Sequence, residues 1–483
     1  MNTQLQWIDF ASISPLCILL CGALILLIRE SFQASAEKKQ TGSTRSFSSP
    51  SLISCATFIL AGIAAIYSPS SQHPLLASWI RFDEVARIFT VFFILTGLGV
   101  SLISCPCFDP EKQSQTKYHG EYYFLLLTTI MGLILIGSAA DFLTLFIGLE
   151  TLSISLYILC GYSKTQTQSH EAAIKYFLIG SFGAALLLYG IALVYGAIGT
   201  TRLSSLANGY QNVSEYQAHL LFLSGIVLIT AGLGFKAAIV PFHSWAPDVY
   251  AGAPTPVTAL MAVGTKVGAF AAFALIFLLF LPNFHIIWNQ LVCSFAVITM
   301  IYANFVALRQ TQIKPFFAYS GISNAGFLLI PIIAGTENSL QSLLFYLIVY
   351  SAATLGSFAV IMQLDSSSCG ISMNDLKGLF YRSPFAAVIF ALCLLTLAGI
   401  PPTAGFLAKF YIFKEAFHAG YYGLVVIGLL TTILAAFYYT RIIGIMLSEP
   451  VEEKKPIRIS WAPAVVGMAA LGAVALLSLY PPL

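Results

Sequence analysis

The sequence predicts an all-α polytopic membrane protein of about fourteen transmembrane helices, and three observations predict it. Charged residues occupy only 9% of the 483 positions, against roughly 25% in an ordinary soluble domain. Hydrophobic residues make up 58% of the chain, with a mean hydropathy of +0.85. Apolar stretches long enough to cross about 30 Å of hydrocarbon recur from one end to the other. A soluble chain of this length needs far more charge to cover its surface, and lipid is the solvent that removes that need.

Taken in order, the first apolar stretch, Pro15 to Ile28, follows Asp9 and no Lys or Arg, and it precedes Arg29-Glu30 without a small-residue cleavage site. It therefore reads as a membrane span and not as a signal peptide. The first half carries spans at 13–28, 51–67, 85–104, 120–140, 142–161, 172–199 and 219–240. The second half carries them at 256–281, 286–308, 315–334, 340–364, 384–416, 420–447 and 461–480. The weakest division lies between the fourth and fifth, where only Asp141 interrupts the apolar run. The Ser-, Thr- and Lys-rich loop from Ser31 to Pro50 is expected to be mobile.

Alternating loops sort the basic residues. One side carries Arg29, Lys38, Lys39, Arg45, Lys112, Lys117, Lys164, Arg309, Lys314, Lys377, Arg382, Arg441, Lys454, Lys455 and Arg458. The other carries only Arg81, Arg87, Arg202 and Lys414. That bias assigns the first side to the cytoplasm, and an even number of spans then puts both termini on the opposite side.

The net charge of +3 and the lack of a basic cluster interleaved with aromatics exclude nucleic acid as a partner class. The nine cysteines are scattered, mostly in apolar runs, where free Cys acts as a small hydrophobe. Cys105-Pro-Cys107 lacks the spacing and further cysteines of a metal or iron–sulfur site, so no metal centre is expected. The longest segments between spans are about twenty residues. Redox chemistry is therefore expected in partner chains.

Four lysines remain inside the spans, Lys175, Lys236, Lys266 and Lys409, and Glu150 is the carboxylate placed deep in one. Each such charge costs about 2.5–3.5 kcal/mol at the bilayer centre. A fold retains several of them only when they face an internal, partly hydrated interior. Glu150, Ser153 and Tyr157 share one helical face, and Lys266 has Thr255, Thr258, Ala259 and Ala262 on or near its own. Burial disfavours the charged form of a lysine and a nearby carboxylate favours it again, which suits lysine to proton relay. The alternative is that these groups form fixed ion pairs that merely hold helices together.

Two helix breaks adjoin buried lysines. Lys236 is followed by Pro241 and Pro247, and Pro401-Pro402 precede Lys409. Proline frees backbone carbonyls, and irregular backbone at membrane depth is tolerated only inside protein or beside a water-filled cavity. His243, within the first break, either extends the relay or satisfies freed carbonyls. Lys175 stands about one turn inside its helix, so snorkelling competes with a relay role. Trp79, Trp245, Trp288 and Trp461 fall near span ends and read as interfacial anchors.

These segments resemble the antiporter-like membrane subunits of proton-pumping NADH-quinone oxidoreductase, the complex I family, and among them subunit N. The resemblance runs from Gly148-Leu149-Glu150 through His170–Lys175 and Phe235–Tyr250 to Ala253–Val257, Tyr319-Ser320, Asp375–Leu379 and Leu397–Lys409. It implies a bundle with two inverted five-helix repeats, each containing a broken helix. The implied division is a three-helix segment at 1–119, repeats at 120–281 and 286–447, and a last helix within 448–483. It implies that Glu150 and Lys236 form a regulating pair, that Lys266 is the central relay and that Lys409 lies on the exit side. Lys175 matches a further lysine on the uptake side.

The resemblance also implies a complex that passes electrons from NADH or another donor to a quinone and exports protons. Its partners are other membrane-arm and peripheral subunits and the lipid bilayer. The expected location is the cell inner (plasma) membrane, or a thylakoid or other energy-transducing membrane. Asn324 stands where many relatives have His, which would route that link through water, and Thr265 precedes Lys266 where proline is common. The end at Leu483 argues against the sister subunit that carries a long lateral helix. The other readings are a cation/proton antiporter subunit and a static scaffold.

Overall fold

The computed structural model describes residues 7–36, 49–70, 73–108, 119–211, 216–282, 285–365, 371–449 and 460–481. Lys38, Lys39, Arg45, Lys112, Lys117, Lys454, Lys455 and Arg458 of the charge sorting, Cys369, and most of the loop expected to be mobile lie outside those residues.

Long helices follow the apolar runs. In chain order they are α1 (Ser14–Ala36), α2 (Ser49–Tyr67), α3 (Glu84–Ser104), α4 (His119–Gly137), α5 (Phe142–Cys160), α6 (Thr167–Ile198) and α7 (Tyr216–Ala237). The short α8 (Trp245–Gly252) follows, then α9 (Thr255–Phe280), α10 (His285–Ala307), α11 (Ile313–Ala334) and α12 (Ser339–Leu364). The last are α13 (Pro384–Ala398), α14 (Ala404–His418), α15 (Tyr422–Leu447) and α16 (Trp461–Leu479). Among the described residues, thirteen helices are long and apolar enough to cross a membrane, and α13 is a shorter apolar one. This is a multi-pass membrane protein. Two runs of five spans follow one another in the chain, and the fourth of each is broken: α7/α8 in the first, α13/α14 in the second.

The thin division at Asp141 has a local cause. Asp141 begins α5 by accepting from Leu143 N at 2.8 Å, and Thr201 Oγ1 donates to its other oxygen at 2.7 Å. A lone aspartate can separate two apolar helices because it satisfies amides the helix start would leave unpaired.

Compactness divides the chain into Met1–Ile229 and Thr230–Leu483, with the boundary inside α7. In the first unit, α4 and α5 cross at Gly132 and Gly148. A Cβ on Gly148 would stand 2.9 Å from both Gly132 O and Ile136 N. Glycine here lets two backbones touch where lipid provides no hydrophobic drive. In the second unit, α9, α11 and α12 are the most deeply buried spans. Against α11 pack α8, α10 and α14, and against α12 pack α9, α13 and α16.

Both predicted breaks are present. After α7 the chain turns through Ala238, whose φ of 58° is rare for a residue with a Cβ, and Val240 N donates to Thr299 Oγ1 at 3.0 Å. After α13 it turns at Gly399 (φ 78°). The Val240-Pro241 and Pro401-Pro402 bonds are cis. A further irregularity had no proline to announce it: α9 widens to π-helical turns at Met261–Thr265 and Ala274–Phe280.

Two tryptophans depart from the interfacial expectation. Trp79 and Trp461 are exposed, but Trp245 and Trp288 are buried. The Trp245 indole donates to Phe235 O at 2.8 Å, a carbonyl next to the break, and that of Trp288 donates to Thr230 Oγ1 at 2.9 Å while its ring stacks on Phe277. An indole N–H with a buried partner belongs in the core.

The Gly132–Gly148 crossing yields a direct expectation. Gly148→Val should destabilise the first unit by about 1–3 kcal/mol through overpacking, read as a lower thermal midpoint of the purified protein. Gly196→Ala, where a Cβ meets nothing within 4 Å, should not lower it.

Candidate functional site

Two buried lysines of the second unit, Lys266 and Lys409, are held by neutral groups. Lys266 lies inside α9 with 1% of its surface exposed. Its Nζ donates to the Tyr250 hydroxyl at 3.4 Å and stands 5.7 Å from that ring's centre. Gly321 of α11 makes room for it, since a Cβ there would lie 3.0 Å from Lys266 Nζ and 3.1 Å from the Tyr350 hydroxyl. Tyr350 in turn donates to Ala262 O at 3.1 Å, a carbonyl in the widened turn just before Lys266. Thr265 bonds back to Met261 O at 2.6 Å within that turn, so the irregularity forms without a proline.

Lys409, in α14, points at the second break. Its Nζ donates to Ala398 O at 2.9 Å, the last carbonyl of α13, and lies 4.8 Å from the centre of the Phe327 ring. The break thus frees a carbonyl and the lysine five residues beyond Ala404 takes it. Its methylene stem passes Gly399 so closely that a Cβ there would fall 2.8 Å from Cδ.

Tyr350 stands near both amines. With Asn324, Tyr346, Val349, Thr396, Leu397, Gly405, Ala408 and Lys409 it lines a small, mostly apolar cavity with room for about one water. Asn324 donates to Ser320 O at 2.8 Å and accepts from the Tyr346 hydroxyl at 2.8 Å. A side branch runs from Ser320 to Tyr439, and nearby Tyr438 donates to Asn304, which donates to Ser323. Among the described residues neither Lys266 nor Lys409 forms an ion pair. Hydroxyl groups and water can each donate and accept a hydrogen bond at one oxygen, as a proton path requires, and the Asn324 amide orients the Tyr346 hydroxyl.

The other predicted residues are less closely joined. Lys236 is buried in the last turn of α7, directly before the first break. His243 is half-buried in that break with its ring 4.8 Å from that of Tyr302. Glu150 belongs to the first unit, and its buried Oε1 has no hydrogen-bond partner among the described residues. Ser153 bonds its own helix at Leu149 O, and Tyr157 lies against Gly180. Lys175 pairs with Glu171 at 2.8 Å, both side chains well exposed, as snorkelling would have it.

Sequence reasoning missed Tyr250, Tyr346 and Tyr350, and it misplaced Lys314. Tyr250 and Tyr350 carry no pattern of their own. Lys314, sorted among the loop cations, is instead 3% exposed at the start of α11 and paired with Asp365. It lies seven residues before Gly321, on the face that meets Lys266, which only the folded structure reveals. Glu415 is also buried, accepting from Thr336 Oγ1 at 2.5 Å. The Asp375–Leu379 segment is a structural turn: Asp375 caps Ser372, and Gly378 takes a φ of 70°. No group of three or more His, Cys, Asp or Glu that could hold a metal occurs among the described residues.

The model of a family described as NADH:quinone oxidoreductase/Mrp antiporter, transmembrane, matches residues 139–435. NADH-quinone oxidoreductase subunit N of Protochlamydia amoebophila is 55% identical over 482 residues, covering 100% of this chain and 98% of the relative. The chain belongs to the subunit N family. The subunit N of Trichlorobacter lovleyi is 40% identical, over 82% of this chain and 80% of its own. Among solved structures, a chain of respiratory complex I from Thermus thermophilus matches with a TM-score of 0.79 and 30% identity, covering 97% of this chain and 98% of that one. A chain of the Mrp complex from Dietzia superposes equally well, with a TM-score of 0.82, but at 19% identity it speaks for the fold alone. The backbone is thus common to several machines, and sequence separates them.

Gly321→Ala tests the packing around Lys266. In an ordinary helix interior this change stabilises by about 1 kcal/mol. Here the added methyl would crowd the amine and the Tyr350 hydroxyl. Proton pumping by the assembled complex should fall about tenfold or more, while thermal stability is retained; unchanged pumping would show that the amine's position is immaterial.

Proposed function

We propose that this chain is a proton-translocating membrane-arm subunit of a respiratory NADH-quinone oxidoreductase, coupling quinone reduction elsewhere in the complex to proton export. The chain contributes a proton path, and the electron donor and the quinone are handled by partner subunits. The observation that carries the reading is that Lys266 and Lys409 are buried with no ion pair among the described residues, and that Tyr350 lies beside the first and lines a water-sized cavity with the second. A charge pinned by a fixed partner has no reason to release its proton, whereas an amine held by carbonyls and hydroxyls changes state when its electrostatic surroundings change.

In this mechanism Glu150 and Lys236 are the regulating residues, and a charge on Lys236 repels a proton from Lys266. The proton passes by way of Tyr350 and the cavity to Lys409, which releases it toward the outer side. His243 bridges the first break as an auxiliary carrier, and Lys175 gathers protons at the uptake surface. The repeats 120–281 and 286–447 each supply one broken helix and its lysine. The complex sits in the cell inner membrane with both termini of this chain on the non-cytoplasmic side. A free-standing sodium/proton antiporter is the weaker reading, since the likeness to the Mrp chain lies in the fold at 19% identity.

Lys236→Ala or Glu150→Ala should lower NADH-driven proton pumping in membrane vesicles at least about fivefold, with the subunit composition of the complex unchanged. Normal pumping in a correctly assembled variant would defeat the reading. Sodium/proton exchange by the lone chain in proteoliposomes would favour the antiporter instead.

A further inference from the structure

Lys314 and Asp365 form a buried ion pair for which the relay above has no use. Lys314 lies in the first turn of α11 and Asp365 follows the end of α12; their side chains are 3% and 5% exposed, with Nζ 3.6 Å from Oδ2. A buried pair adds little net stability, because desolvation of two charges offsets their attraction. What distinguishes this pair is the backbone it grips.

Lys314 Nζ donates to Ala253 O at 3.1 Å, the residue that ends α8. A cation there also faces the negative end of the helix dipole. The Asp365 carboxylate accepts from the hydroxyl of Thr255, the first residue of α9. One turn beyond these two anchors, Thr258 Oγ1 lies 3.2 Å from Tyr250 O and 3.4 Å from Ala253 O. The segment 250–258 is therefore tied to α11 through one member of the pair and to the end of α12 through the other. At the head of that segment stands Tyr250, the residue whose hydroxyl meets Lys266 Nζ.

We infer that the Lys314–Asp365 pair is a positioning device that fixes the junction between α8 and α9 and thereby sets the Tyr250–Lys266 contact. Lys314 and Asp365 touch neither amine of the proton path; they act through the backbone that presents Tyr250. An apolar pair of similar volume could hold the helices together but could not grip a carbonyl and a hydroxyl at two points of one turn. The inference rests on the relay role of Lys266.

The test is a double-mutant cycle on the assembled complex in membrane vesicles, reading proton pumping at fixed NADH. Lys314→Met and Tyr250→Phe should each reduce the rate about fivefold. Because both act on one contact, the double variant should also lose about fivefold and not the twenty-five-fold of independent sites. Lys314→Arg, which keeps a cation able to reach Ala253 O and Asp365, should restore at least half of the wild-type rate. A wild-type rate for Lys314→Met, or a fully multiplicative double variant, would overturn the inference. Should Lys314→Met fail to assemble, Thr255→Val, which removes one hydroxyl and leaves the charges balanced, takes its place in the same cycle under the same criteria. Lys266→Met separates the two readings: a wild-type rate there defeats the relay itself, whereas a lost rate combined with a multiplicative cycle defeats the positioning role alone.

Discussion

Lipid cannot hydrate a backbone carbonyl or an ammonium group, so each must find its partner inside the protein. This molecule meets both needs with the same contacts. Where α13 ends, the carbonyl of Ala398 meets the amine of Lys409. Where α9 widens, the carbonyl of Ala262 meets Tyr350, beside Lys266. Where α8 ends, the carbonyl of Ala253 meets Lys314. Irregular backbone and buried cation are thus complementary, and neither would be stable at that depth without the other. At Lys409 the acceptor is a carbonyl and not a carboxylate, and a neutral acceptor holds an ammonium in place without fixing its charge.

Packing supplies the room for this arrangement. Gly321 and Gly399 stand where any side chain would press on a lysine, and the wide turn at Met261–Thr265 presents a carbonyl to Tyr350. Of the helices that bear these features, α9, α11 and α12 are the most enclosed of the second unit, and α14 is half-exposed. Asn324 fits the same logic. Its amide is held from both sides by Ser320 O and Tyr346 and lines the cavity beside Lys409.

The spans and both breaks were legible because they depend on composition and on proline, which act locally. Lys266 and Lys409 were legible for a related reason: a charge in the middle of a greasy run is conspicuous. Lys314 was not, since a lysine at a helix start looks like any loop cation until α8 and the end of α12 close over it. Trp245 and Trp288 misled for the same reason, their burial being decided by partners at Phe235 and Thr230 that no spacing rule reveals. The π-helical turns of α9 depend on which carbonyl each amide reaches, and that geometry leaves no mark in hydropathy.

The proposed proton path requires a hydrated polar thread from the amine in α9 to the amine in α14. An experimental density map of the whole complex, sharp enough to show ordered solvent, examines it most directly. At least one water is expected in the space bounded by Asn324, Tyr350 and Lys409, bonded to polar atoms on both sides. A dry gap packed with hydrocarbon, with the two amines turned toward opposite aqueous faces, would contradict it.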